Sequence, residues 1–170
     1  MNSGTLLFLG VRVLHVVLAG IWLGAAFFIT VFLAPVVLKS APAGDQVMTA
    51  LVRRGLPAFM ASLGGITVVS GIYLLMRLDP MVRSSRGGMA YNIGALAGVI
   101  ALILGGSIVG RSAKRMTAIT EKVASMPQGA ERAALMNEMA MLGGRLETFG
   151  RIVVVLLLIS MATMSLGHYI

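Results

Sequence analysis

The chain contains no cysteine. That absence removes disulfides, thiolate-bound zinc, iron–sulfur clusters and thiol nucleophiles together. Charge is almost as scarce: Asp, Glu, Lys and Arg make up 12% of the 170 residues, against roughly 25% in an average soluble domain. Acids are scarcer still. Only Asp45, Asp79, Glu121, Glu131, Glu138 and Glu147 are present, and none falls inside a long apolar run. A pump or proton-coupled transporter usually needs a carboxylate within the lipid, and hydrolysis needs an acid–base pair, so neither class is supported. No phosphate-cradling glycine motif leads into a lysine in the right context, and no nucleophile has a base beside it.

What the chain has is apolar length. It is 58% hydrophobic, with a mean hydropathy of +0.93. Four segments, at about 5–38, 56–76, 89–110 and 152–170, have the length of a spanning helix, for which about 20 apolar residues suffice. Backbone groups in lipid must be satisfied within the segment, so each is expected to be helical. The fold class expected is an all-α integral membrane protein. It is a single domain, 1–170, built as a four-transmembrane-helix bundle. The first segment would reach about 50 Å at 1.5 Å per residue. Arg12 would then mark the headgroup level, and Pro35 would limit or kink the far end. No cleavable leader is expected, because residues 1–8 lack a basic stretch and the first apolar run is too long.

Between the spans, residues 39–55 are expected as a loop, with Pro42, Gly44 and Asp45 as turn chemistry. Residues 78–88 form a short basic loop. Residues 111–151 carry two apolar stripes: Met116, Ile119, Val123 and Met126, then Leu135, Met139, Leu142 and Leu146. Pro127, Gln128 and Gly129 separate them. This spacing predicts helices over about 89–126 and 130–170 that meet as an antiparallel hairpin outside the lipid. The alternative is that the stripes lie on the membrane surface. Gly143 and Gly144 are expected to break the helix before the fourth span.

The formal charge of +8 comes from residues outside the apolar runs, which points to anionic headgroups and not to nucleic acid. Lys39, Arg53, Arg54, Arg111, Lys114, Arg115, Lys122, Arg132, Arg145 and Arg151 fall on one side, and Arg12, Arg77, Arg83 and Arg86 on the other. The positive-inside rule then puts the hairpin in the cytoplasm and both termini outside the cell membrane.

This topology brings the chain's two histidines, His15 and His168, towards the same leaflet. Two neutral imidazoles across a bundle suit a haem iron or a copper ion. Met161, Met164 and His168 share a helical stripe, and thioether with imidazole is a set that Cu(I) accepts. Room for a flat haem b would come from Gly20 and Gly24, beside Trp22, and from Gly64, Gly65, Gly71, Gly94 and Gly98. Arg12 and Arg77, Arg83 and Arg86 would meet its propionates. The plainer alternatives are a helix-to-helix hydrogen bond at His15 and core packing by the methionines.

The residues LHVVLAGIWLGAAFF, SGIYLL and LLLISMATMSLGHYI resemble a superfamily of small four-helix membrane proteins that includes CopD-type copper-resistance domains and HemJ-type protoporphyrinogen oxidases. Its most telling piece is a His followed by Trp and Gly in the first helix, here His15, Trp22 and Gly24. The resemblance implies a b-type haem or copper site at His15. The chain departs from the HemJ pattern in having Val36 after Pro35 and no Lys in the third span, so the implication carried is haem or metal and not the oxidase reaction. Three functions are therefore expected in turn: a haem b protein for electron transfer or haem handling near the outer face, a copper-binding or copper-import module, and a cofactor-free subunit whose glycine faces pack on partner helices or on another copy.

Overall fold

The computed structural model describes residues 2–40, 42–167 and 169. Every regular element among them is helical. Helix α1 is Ser3–Lys39, opened by Asn2, whose Oδ1 accepts from the Thr5 backbone N–H at 2.9 Å. A proline lacks an N–H and crowds the carbonyl four residues back. Pro35 accordingly follows a π turn, Ile29–Leu33, in which the Ala34 N–H reaches back to the Ile29 carbonyl. The expected limit at Pro35 is thus a widened turn, and α1 continues to Lys39.

The loop expected over 39–55 is a helix instead: α2 is Ala43–Arg53. Pro42 sits at its N-cap and Asp45 in its first turn, where a carboxylate suits the helix dipole. Gly44 is pressed against the Val37 carbonyl, and no Cβ fits there. The turn-forming residues thus start a helix and fold it back onto α1.

Helix α3, Leu56–Met76, starts after Gly55, whose φ of 90° is the one left-handed value among the described residues. A single turn, α4 (Pro80–Arg83), is capped by Asp79, which accepts from the Met81 N–H at 2.8 Å. Helix α5, Arg86–Ala124, contains a second π turn at Gly105–Val109. Helix α6, Ala130–Leu166, runs without interruption. The break expected at Gly143 and Gly144 is absent. A glycine weakens a helix by only about 1 kcal/mol, and Gly143 is buried within reach of Leu38.

Among the described residues four helices, α1, α3, α5 and α6, are long and apolar enough to cross a membrane. They form an all-α bundle in which α1 packs most closely on α3, and α5 on α6. The two pairs share one core of Trp22, Ala26, Leu63, Ala101, Val153, Val154 and Leu157. Valines, leucines and phenylalanines on the outer faces, such as Val13, Phe28, Val69, Leu96 and Val155, remain exposed, as lipid contact requires.

Beyond the spans, α5 and α6 continue as a hairpin. Its own core holds Met116, Ile119, Val123 and Leu142, with Leu135, Met139 and Leu146 against them. The two sequence stripes therefore face each other. Met126 is not part of this core, because α5 ends at Ala124 before reaching it. Ion pairs Arg115–Glu138 and Lys122–Glu131 join the two arms at 2.7 and 2.8 Å. The Arg115 guanidinium holds the Glu138 carboxyl below its ordinary range, chiefly by hydrogen bonding, and Glu138 raises Arg115 in turn.

Candidate functional site

Helix α1 presents its least exposed stripe, which includes His15, Leu18, Trp22 and Ala26, to the other helices. His15 and Trp22 are seven residues, two turns, apart on it. Opposite them on antiparallel α3 lie Gly71 and Gly64, also seven apart. A Cβ on Gly71 would stand 2.7 Å from His15 Cε1, and one on Gly64 would stand 2.7 Å from the Trp22 ring. Each glycine is a notch that one ring of α1 fills. Trp22 is 5% exposed, while His15, nearer the end of the bundle, is half-buried.

His15 is also tied chemically to α3. Its Nδ1 lies 2.8 Å from the Thr67 carbonyl oxygen and 3.2 Å from Ser70 Oγ. A carbonyl can only accept, so Nδ1 carries the proton and donates it. In the neutral ring this leaves the lone pair on Nε2. The Ser70 hydroxyl is itself turned back to the Ile66 and Thr67 carbonyls, at 2.7 and 2.9 Å. The Thr67 hydroxyl beside them is 6% exposed overall and has no hydrogen-bond partner among the described residues. One turn of α3 thus supplies a carbonyl that fixes the imidazole tautomer, a hydroxyl that supports it, and a second, unpaired hydroxyl.

An imidazole whose Nδ1–H is held by a backbone carbonyl is arranged as metal-bound histidines are: the second partner orients the ring and leaves Nε2 to ligate. The donor chemistry at His15 therefore fits a metal or a haem iron. The glycines divide into closed and open positions. Gly64, Gly71 and Gly94 are closed by Trp22 and Leu102, by His15, and by Met164 and Thr163. A Cβ on Gly20, Gly24 or Gly65 would meet nothing within 4 Å, and one on Gly98 would make only ordinary contact with Ser160.

The other expected site residues are distributed around the bundle. Arg12 is exposed, one turn before His15. Met161 is 40% exposed. Met164 lies in the seam between α6 and α5, where a Cβ on Gly94 would be 2.8 Å from its Cγ. Ser160 Oγ donates to the Gly94 carbonyl across the same seam at 2.8 Å. His168 lies outside the described residues. At the end of the bundle opposite the hairpin, Arg77 lies over the Tyr73 ring at 5.4 Å, and Arg83 donates to the Leu75 and Met76 carbonyls at the end of α3. Among the described residues no three His, Asp or Glu side chains cluster to hold a metal.

Thr67 is the residue that sequence reasoning missed. Its carbonyl, not its side chain, receives His15, and a backbone acceptor leaves no mark in residue identities. The available signal was the matched spacing of seven between His15 and Trp22 and between Gly64 and Gly71. Comparison of the chain with known protein families, curated proteins and solved structures finds no match.

Proposed function

We propose that this is a membrane-embedded haem b protein serving electron transfer or haem handling, with His15 Nε2 as a ligand to the iron. The observation that carries the reading is the hydrogen bond from His15 Nδ1–H to the Thr67 carbonyl, which leaves Nε2 as the basic nitrogen of a half-buried ring. His168 is the proposed second ligand, and Arg12, exposed one turn before His15, the proposed partner of a propionate. Bound haem would supply a one-electron couple. The chain's part is to hold the imidazole in one tautomer, shield it with α3, and keep it near the end of the bundle. Gly71 is five residues from the end of α3, which places the ring about 8 Å inside that end at 1.5 Å per residue. The hairpin is assigned to the cytoplasm and the termini to the outer side of the cell membrane, from the excess of Lys and Arg on the hairpin side. The resemblance to CopD-type and HemJ-type proteins supports the same cofactor class.

Copper is the neighbouring reading, with Met161 and Met164 joining the histidines. It is the weaker of the two, because Met161 is exposed and Met164 is engaged with Gly94. A third reading, a cofactor-free subunit that packs against partner helices, draws on the tight fit of His15 against Gly71 and of Trp22 against Gly64. In it the histidine serves as an inter-helix tie.

Absorption spectroscopy and metal analysis of the purified protein separate the three. Haem gives a Soret band and sharp bands on reduction, lost in His15→Ala. Copper without such bands supports the second reading. A colourless, metal-free protein that copurifies in fixed ratio with larger subunits supports the third.

A further inference from the structure

The charged side chains at the hairpin end divide into two groups. Arg53, Arg115, Lys122 and Arg151 are paired with Glu121, Glu138, Glu131 and Glu147. Arg132 donates to the Val123 and Met126 carbonyls at the end of α5. Lys39, Arg54, Arg111, Lys114 and Arg145 are exposed and make no ion pair among the described residues. Among the described residues on this side only Asp45 remains as an acid without an ion pair, half-buried in the wall of a small cavity between α1, α2, α5 and α6.

The unpaired group has a common position. Lys39 ends α1, Arg54 lies in the link between α2 and α3, two residues before Leu56, Arg111 and Lys114 follow the π turn of α5, and Arg145 lies in α6 between the hairpin arm and the span. Each lies near the boundary of an apolar segment, and together they are drawn from α1, α5, α6 and the link that enters α3. The Arg115 and Lys122 pairs lie further along the hairpin. At the opposite end Arg77 and Arg83 are engaged within the chain, and only Arg12 and Arg86 are exposed without an ion pair among the described residues, so free cations are concentrated at the hairpin end.

From this arrangement we propose that Lys39, Arg54, Arg111, Lys114 and Arg145 form a girdle that binds the phosphate headgroups of anionic phospholipids. The occupant follows from charge complementarity and from position. Exposed cations at the lipid boundary with no acid to neutralise them meet the headgroup layer. A basic residue near such a surface gains about 1 kcal/mol, so each charge removed weakens the retention of anionic lipid about fivefold.

The test is native mass spectrometry of the detergent-purified protein titrated with phosphatidylglycerol or phosphatidylcholine. Wild type is expected to retain phosphatidylglycerol preferentially, less so as salt rises. Lys39→Gln/Arg54→Gln/Arg111→Gln is expected to lose the preference. Arg54→Lys/Arg111→Lys/Arg145→Lys keeps the charge and should keep it. Arg77→Gln/Arg83→Gln/Arg86→Gln, with the same net charge change at the other end, should also keep it. Equal loss in the two Gln variants would overturn the assignment, as would a wild type that does not distinguish the lipids. Inorganic phosphate added to wild type should not displace the bound lipid. Full displacement would mean a site for free anions and would also overturn the proposal. Should the first Gln variant not fold, the salt and phosphate arms on wild type decide.

Discussion

The His15 imidazole occupies the place where a side chain on Gly71 would be: a Cβ there would lie 2.7 Å from Cε1 and 3.3 Å from Nδ1. The absence of a side chain at residue 71 is therefore what allows the ring to reach the Thr67 carbonyl. Gly71→Ala is expected to push α1 away from α3 and to destabilise the bundle by about 1–3 kcal/mol, the usual range for overpacking. Thermal unfolding in detergent measures this. If His15 ligates iron, the same variant loses or broadens the Soret band, whereas Gly65→Ala, at an open position, leaves the Soret band unchanged and does not lower the melting temperature.

Trp22 in the Gly64 notch is the second half of the contact, and it joins the core shared by all four long helices. Trp22→Ala opens a cavity at the centre of the bundle. A loss of roughly 3 kcal/mol is expected from comparable large-to-small substitutions. Trp22→Phe should recover much of it. Unchanged melting of Trp22→Ala would show that the ring is not packed there.

Two glycines of the connecting elements are expected to respond in opposite directions. Gly44→Ala sets a methyl against the Val37 carbonyl, so α2 cannot dock on α1 and stability falls. Gly144→Ala adds a methyl to open space within a continuous helix. It should stabilise by about 0.5–1 kcal/mol, the helix preference of Ala over Gly. Melting temperatures of the two single variants, taken side by side, test both.

The hairpin carries a predictable acid sensitivity. Arg115 depresses the Glu138 carboxyl, first through its hydrogen bond. A depressed carboxyl contributes stability above its unfolded pKa, about 4.3 for Glu, and loses it as pH falls through the lower folded value. Hydrogen exchange of the hairpin amides should therefore accelerate on acidification across that window. Glu138→Gln should remove this component of the response. Arg115 is exposed and Glu138 only partly covered, so salt should diminish the difference.

The four spans were legible because each is a long apolar run, and helix is what satisfies a backbone in lipid. The hairpin was legible because Met116, Ile119 and Val123 keep helical spacing and face Leu135, Leu142 and Leu146. Helix α2 was not, since its first turn holds Gly44 and Asp45, which read locally as a turn. Its docking depends on a backbone approach to Val37 that composition does not encode. Nor was the continuity of α6 legible through Gly143 and Gly144, because packing against the rest of the chain overrides a weak local preference. At the site, the histidine stood out as one of only two in the chain. Its partner did not, because the group it meets is the Thr67 carbonyl.

The account rests on which nitrogen of His15 carries the proton. The direct measurement is 15N NMR of histidine-labelled wild-type protein, in which a His168→Gln spectrum serves only to tell the two rings apart. The account predicts a protonated Nδ1 and a bare Nε2 whose resonance shifts when haem is added. A protonated Nε2 with a bare Nδ1, or an Nε2 resonance indifferent to haem, would contradict it.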